Sequence, residues 1–292
     1  MEPRDLPASW PFRSAERRLR AAGHDWWLVD TGPPEAPAVL LLHGLGASGH
    51  SFRRMIPGLS ARYRVLVPDL PGQGCSHAGR ANRLGLEPMA EDLGALCDVL
   101  GVAPVAVIGH SAGAAIALQM ARMRPIPAVV GINAALGHFG GAATAVFGLM
   151  ARGMAALPFV APSVARVWAS RARVDRMLDQ TGSRIDEAGR AQYLALVRDP
   201  GHIAGALGMM AAWRLDPLLA ALPTLPVRTL LIAAAGDVAV PPRVSHQAAA
   251  RMPRAEVRDL PGGHLVHEEA EDGLSALILD WLQPETVSPK II

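Results

Sequence analysis

A serine in a glycine-rich turn is the feature of the sequence with the clearest chemical potential. Gly109-His110-Ser111-Ala112-Gly113 follows an apolar run and precedes an alanine-rich segment. A G-x-S-x-G pattern between a strand and a helix is typical of a nucleophile elbow, a sharp turn that lifts the serine hydroxyl above a sheet. The start of that helix offers backbone N–H groups and a favourable dipole to a developing anion. We therefore predict that Ser111 is a catalytic nucleophile.

A serine hydroxyl is a weak nucleophile until a base removes its proton, so a histidine is needed. Among ten histidines, His264 follows Gly262-Gly263 in a loop just past a predicted strand, on the same side of the sheet as the elbow. We predict that His264 is the base, with His267 as the rival. A metal site made of His264, His267 and Glu268 is disfavoured, because no matching ligand set lies elsewhere in the chain.

A carboxylate must orient the base, and Asp237 is the predicted acid. It follows the apolar run 229–233 and gives the chain order Ser111, Asp237, His264, which this type of catalytic triad requires. Asp259 ends a strand but lies too close to His264 in sequence to reach it comfortably. Asp69 follows an earlier strand and is better suited to supporting the turn beside it.

Acyl transfer also needs backbone N–H donors for the oxyanion. One predicted donor is Ala112, directly after the nucleophile. The other is Leu45, in the turn His43-Gly44-Leu45-Gly46. The His43 side chain is more often structural in such a turn, although it is also a candidate pocket residue.

The elements that must position these residues are buried strands alternating with helices. Apolar runs of about five residues, bounded by glycine and proline, suit strands of a parallel sheet that are covered on both faces. Such runs are found at 39–43, 64–68, 105–109, 128–132, 227–233 and 255–259, with an antiparallel edge hairpin expected at 17–21 and 26–30. Helices are expected near 50–60, 88–100, 112–123, 242–251 and 269–282. This alternation predicts an α/β fold with a mostly parallel, doubly wound sheet.

The strand–helix alternation stops between the fourth and fifth runs, where the chain is rich in Ala, Met and Arg. We predict an inserted helical lid at 135–216 between two parts of one core, 1–134 and 217–292. Its apolar side chains either pack the lid onto the core or line a pocket for a bulky, lipophilic substrate. The pocket candidates are His43, Phe139, Phe147, Met150, Met209 and Trp213.

The composition excludes several classes of protein. Half of the 292 residues are hydrophobic and 18% are charged, which excludes a disordered chain. A net charge of +2 without a basic block argues against nucleic-acid binding. Two cysteines cannot form a disulfide framework, and residues 1–20 lack a secretory signal, so a cytoplasmic protein is expected.

Two long charge-free stretches, 100–121 and 125–151, have the length of membrane spans. Their glycines and polar residues favour buried strands and amphipathic helices instead. A peripheral membrane contact, at the inner or a photosynthetic membrane, stays open for the second stretch, which leads into the lid.

These motifs together resemble the α/β-hydrolase fold superfamily over roughly residues 15 to 283. The resemblance is closer still to the magnesium chelatase accessory proteins of bacteriochlorophyll biosynthesis. The stretches that suggest it are 43–48, 109–115, 131–135, 181–183, 198–202 and 205–213. The family pattern differs at Gln73, where hydrolases often have histidine, and at Asn133, where some relatives place the acid. The resemblance implies a photosynthetic bacterium and a role near magnesium insertion into protoporphyrin, or in later ester handling.

Three functions remain open on the sequence. The first is a serine hydrolase for an ester or similar acyl bond, acting without a metal or another cofactor on a lipophilic substrate such as a porphyrin or its ester. The second is a non-catalytic accessory module that holds a tetrapyrrole or contacts the chelatase through the lid pocket. The third is a lyase or C–C hydrolase, which the same triad supports. An aspartyl nucleophile is excluded by Ser111.

Overall fold

The apolar runs of the sequence form one sheet. The computed structural model describes residues 1–79, 81–137, 157, 159–269 and 273–283. Within these residues, eight strands pair in the order β1-β2-β4-β3-β5-β6-β7-β8. They are Glu16–Ala21 (β1), His24–Thr31 (β2), Ala38–Leu42 (β3), Arg64–Pro68 (β4), Ala106–His110 (β5), Ala128–Ile132 (β6), Arg228–Ala234 (β7) and Ala255–Leu260 (β8).

Strand directions agree with the sequence prediction. β1 and β2 form the expected antiparallel hairpin at one edge, and β2 is also antiparallel to β4. From β4 to β8 every neighbouring pair is parallel. All residues of β3, β5 and β6 are buried, because helices cover both faces of the sheet. The carboxyl ends of these central strands therefore meet at one edge of the sheet, where the elbow begins.

Helices follow the strands much as the periodicity predicted. Before β6 they are Ile56–Ser60 (α1), Leu86–Leu100 (α2) and Ala112–Met123 (α3), and after β7 they are Arg243–Ala249 (α9), Val266–Glu269 (α10) and Gly273–Leu282 (α11). In α2 the residues Met89, Leu93 and Leu96 form an apolar stripe and are fully buried. The single helix expected at 50–60 is instead a 3₁₀ turn, Gly49–Phe52, followed by α1. Pro57 explains this break, since proline is tolerated in the first turn of a helix but not in its interior.

Among the described residues, five helices lie between β6 and β7. They are Val160–Trp168 (α4), Arg171–Asp179 (α5), Glu187–Arg198 (α6), Pro200–Ala212 (α7) and Asp216–Ala221 (α8). Asp186 and Asp199 cap α6 and α7 by accepting backbone N–H bonds from Gly189 and His202. Apolar residues of α5 and α6 share a small core with Trp10 and Trp27, apart from the two clusters that cover the sheet. Residues 138–156, at the start of the predicted lid, lie outside the described residues.

The first charge-free stretch, 100–121, becomes β5, the elbow and most of α3, as predicted. Among the described helices, none combines the length and the apolar character that crossing a membrane requires.

Candidate active site

Ser111 lies in a strained turn between β5 and α3. Its φ of 52° and ψ of −116° are rarely adopted by residues with a side chain, and such a conformation costs about 1–3 kcal/mol. The turn is held by the Ser111 N–H, which donates to the carbonyl of Ile132 at 2.9 Å. Gly113 is required because a Cβ there would lie 2.1 Å from the Leu42 carbonyl oxygen. The Ser111 side chain is consequently held at the sheet edge, partly open to solvent.

His264 forms a hydrogen-bonded pair with Asp237. The His264 Nδ1 lies 2.8 Å from Asp237 Oδ2, so the ring donates from Nδ1 and leaves Nε2 to accept a proton. The other carboxylate oxygen accepts backbone N–H bonds from Ala239 and Val240, at 2.8 and 2.7 Å. Asp237 is buried, whereas the His264 side chain is 11% exposed. Backbone N–H groups thus fix the Asp237 carboxylate, and the His264 ring that it orients remains partly open to solvent.

The loop that carries His264 is tied to the elbow by two residues that the sequence did not single out for this role. His110, next to Ser111, donates from Nε2 to the His264 carbonyl at 2.9 Å, and the two rings lie 4.7 Å apart. The Asn133 amide donates to the same carbonyl at 2.9 Å and to that of Gly263 at 3.0 Å. The sequence signal for Asn133 was an asparagine directly after the apolar run 128–132, since asparagine is enriched at positive φ. In the structure its φ is 46°.

The backbone N–H of His264 is held as well, from the helical segment between β6 and β7. It donates to the Thr181 carbonyl at 3.1 Å, and Leu265 N–H donates to Ser183 Oγ at 2.8 Å. His264 is therefore positioned jointly by the sheet and by the loop between α5 and α6.

The glycine turn after β3 lies against the elbow. A Cβ on Gly44 would lie 3.2 Å from the Cβ of Ser111, so the neighbouring Leu45 is close to Ser111 as well. The His43 ring is fully buried, donates from Nδ1 to the Gly44 carbonyl and accepts the Leu70 N–H at Nε2. Burial lowers the His43 pKa to about 3. With both nitrogens engaged and the ring neutral, the structure gives His43 a supporting role in the turn and no free ring nitrogen for a substrate.

His267, the rival base, is completely buried against His110, with the ring centroids 4.2 Å apart. Burial lowers its pKa to about 3, which makes it a poor proton acceptor near neutral pH. Glu268 is also buried and is bound by Arg53 and by the Tyr193 hydroxyl. Among the described residues, no group of three or more His, Cys, Asp or Glu side chains is placed to hold a metal ion.

The other pocket candidates are only partly placed. Met209 is buried with its sulfur 3.3 Å from the Gln73 amide nitrogen. Trp213 is partly buried and packs against the core cluster that includes residues of α2 and α3. Phe139, Phe147 and Met150 lie outside the described residues, so their place in the pocket stays a prediction.

Comparisons with known proteins give the same fold and a near relative. The family model of the alpha/beta hydrolase fold matches residues 37–271. The magnesium-chelatase 30 kDa subunit of Rhodobacter capsulatus is 62% identical over 283 residues, covering 97% of this chain and 100% of the relative.

Solved structures with lower identity agree in fold. An alpha/beta hydrolase fold protein from Burkholderia ambifaria has a TM-score of 0.72 at 24% identity, covering 90% of this chain and 97% of that chain. The epoxide hydrolase CorEH has a TM-score of 0.77 at 19% identity, covering 91% and 97%. At such identity these two structures show the fold alone.

Proposed function

The chain belongs to the alpha/beta hydrolase fold family, and we propose that it acts as a serine hydrolase on an ester or similar acyl bond. One observation carries this proposal: a backbone-anchored Asp237 orients His264 at the sheet edge where Ser111 is held in its strained turn. A pure binding pocket has no need of an ordered carboxylate–imidazole pair beside a strained serine.

In the proposed reaction, His264 Nε2 takes the Ser111 proton as the hydroxyl oxygen attacks the acyl carbon. Asp237 stabilises the imidazolium that forms and keeps its Nδ1 proton in place. The N–H groups of Leu45 and Ala112 bind the negative oxygen of the tetrahedral intermediate. His264 then returns the proton to the leaving alcohol, and a water molecule activated by the same histidine releases the acid and restores Ser111.

We further propose that residues 135–216 form the lid over this site. The helices α4 to α7, which lie within this range, support the proposal, since the loop between α5 and α6 touches His264 directly. The Met and Phe side chains of the segment suit an apolar, bulky acyl or alcohol group, and a porphyrin ester is a substrate of that kind. A peripheral membrane contact through 125–151 stays a prediction, because most of that stretch lies outside the described residues.

A second candidate function is supported by the Rhodobacter capsulatus relative, which is named as a subunit of magnesium chelatase. In this alternative the chain is an accessory module that binds the chelatase or a tetrapyrrole and performs no hydrolysis. The two functions differ in whether Ser111 must react.

Labelling with a fluorophosphonate probe separates them. We expect the wild-type protein and Ser170→Ala, a control at an exposed serine, to be labelled, and Ser111→Ala to remain unlabelled. Absence of label on folded wild-type protein would overturn the hydrolase proposal. Absorption titration with protoporphyrin, giving tight binding that Ser111→Ala leaves unchanged, would then favour the accessory module.

A further inference from the structure

Gly46, directly after the proposed oxyanion donor Leu45, is bound at both of its backbone polar groups. Its N–H donates to Gln73 Oε1 at 2.7 Å, and its carbonyl accepts from His202 Nε2 at 3.2 Å. Gln73 comes from the loop after β4 and His202 from α7, so two distant parts of the chain meet on one glycine. Both side chains are almost fully buried, with Gln73 at 0% and His202 at 1% exposure.

The direction of each hydrogen bond follows from the other partners of the side chains. His202 Nδ1 accepts the Gly74 N–H at 3.0 Å, so the ring proton is on Nε2 and points to the Gly46 carbonyl. Burial lowers the His202 pKa to about 4, which keeps the ring neutral near pH 7. The Gln73 amide nitrogen faces the Met209 sulfur, which leaves its oxygen for the Gly46 N–H. Neither side chain can exchange its donor and acceptor without losing a second contact.

Helix α7 reaches this turn because it approaches the loop after β4 at backbone distance. A Cβ on Gly205 would lie 1.8 Å from the Gly72 carbonyl oxygen, so only glycine allows this packing. His202 and Met209 are two helical turns apart and therefore lie on one face of the helix. The close approach delivers His202 to Gly46 and Met209 to Gln73.

The turn 44–47 uses the N–H groups of Gly46 and Ala47 but not that of Leu45. The Ala47 N–H donates to the Gly44 carbonyl at 3.2 Å, closing a β-turn with Leu45 and Gly46 in its centre. The N–H groups of Gly46 and Ala47 are thus occupied, whereas no hydrogen bond within the described part of the chain holds the Leu45 N–H, which leaves it available to an oxyanion. Gly46 has a φ of 74° and no side chain, so it is the residue about which this turn would most easily change shape.

We propose that Gln73 and His202 are positioning residues that clamp Gly46 and so hold the Leu45 N–H towards the oxyanion. The inference rests on the proposed hydrolase function. It adds that the seating of α7, in the proposed lid, controls turnover through the oxyanion donor. It also explains Gln73, which replaces the histidine common in hydrolases and here supplies the acceptor for Gly46.

Two substitutions of His202 separate this role from a purely structural one. His202→Gln places an amide N–H near the position of Nε2 and keeps a donor for Gly46, whereas His202→Asn keeps an acceptor for Gly74 but cannot reach Gly46. We expect His202→Asn to lower kcat for a p-nitrophenyl ester by about tenfold to 100-fold with little change in KM, since losing an oxyanion donor costs about 10²–10³. We expect His202→Gln to recover most of that rate.

Gln73→Met, which retains volume but lacks the acceptor, should show the same loss in kcat as His202→Asn. Hydrogen–deuterium exchange supplies a readout independent of turnover: the peptide containing Gly46 should exchange faster in Gln73→Met than in wild type. Ala204→Ser, at an exposed position of α7, is the matched control for the effect on protein stability of substituting a residue of this helix.

The outcomes are distinguishable. An active wild type in which His202→Asn keeps its rate, or in which His202→Gln is the more damaged variant, overturns the clamp but leaves the hydrolase proposal standing. A folded wild type that hydrolyses no ester and resists the fluorophosphonate overturns both. Unchanged exchange at Gly46 in Gln73→Met also overturns the clamp.

Discussion

Replacing Asp237 by asparagine should reverse the hydrogen bonding of His264. The side-chain oxygen that accepts from Ala239 and Val240 must remain an oxygen, because an NH₂ group there would face two N–H donors. The Val240 N–H bond is buried and the Ala239 N–H bond is partly buried, so leaving both donors without a partner disfavours the reversed amide by about 2 kcal/mol, or about 30-fold. The NH₂ group of the introduced asparagine therefore faces His264.

That orientation forces His264 Nδ1 to become an acceptor and moves its proton to Nε2, where it blocks removal of the Ser111 proton. The variant also loses the charge that stabilises the imidazolium. We expect kcat to fall by about 10³–10⁴, equivalent to about 4–5.5 kcal/mol of activation free energy. The assay is hydrolysis of a p-nitrophenyl ester, with thermal unfolding as the check that this nearly isosteric variant is folded.

Asp259→Asn is the matched control, since Asp259 also binds a histidine, His246, at 2.8 Å, but on the surface. It should keep a wild-type rate. A folded Asp237→Asn protein within about tenfold of wild-type kcat would refute the reasoning, because such a small loss leaves no room for a reversed tautomer.

Two further predictions concern the supports of the site. Asn133→Ala removes the amide group that donates to the Gly263 and His264 carbonyls, and it places alanine at a positive φ. We expect the free energy of unfolding, measured by urea denaturation, to fall by about 2–3 kcal/mol, and kcat for ester hydrolysis to fall as well. An unchanged kcat would contradict the positioning role of Asn133. Acid should destabilise the fold, because burial lowers the pKa of five histidines, so the unfolded chain binds protons below pH 6.5 that the folded chain does not. These histidines are His43, His50, His110, His202 and His267. Glu16, Asp69 and Glu268 act in the opposite direction, because burial raises their pKa values, that of Asp69 to about 6 and that of Glu268 to about 7. Because the five histidines outnumber the three carboxyl groups, the free energy of unfolding should fall as the pH drops from 6 to 4.5, and a stability from urea denaturation that is flat or rising towards acid would contradict this.

Local patterns in the sequence predicted much of the fold. Continuous apolar runs predicted the buried strands because a strand covered on both faces needs an apolar residue at every position. The glycines around Ser111 predicted the elbow, because only small residues allow its backbone contacts. The misplaced helix at 50–60 shows where a local signal was overlooked, since Pro57 already marked a helix start.

The sequence by itself also predicted the types of the proposed reacting groups and their order along the chain. The sequence favoured His264 over His267, but only the tertiary structure shows their different surroundings: His264 is paired with Asp237 and partly open, whereas His267 is buried against His110. The clamp on Gly46 was likewise invisible in the sequence, because Gln73 and His202 are 129 positions apart (202 − 73) and meet only where α7 packs on the loop after β4. The spacing of residue types along the chain reflects the periodicity of a single helix or strand. Hydrogen bonds between two elements depend on how closely those elements pack, and the whole fold decides that packing distance.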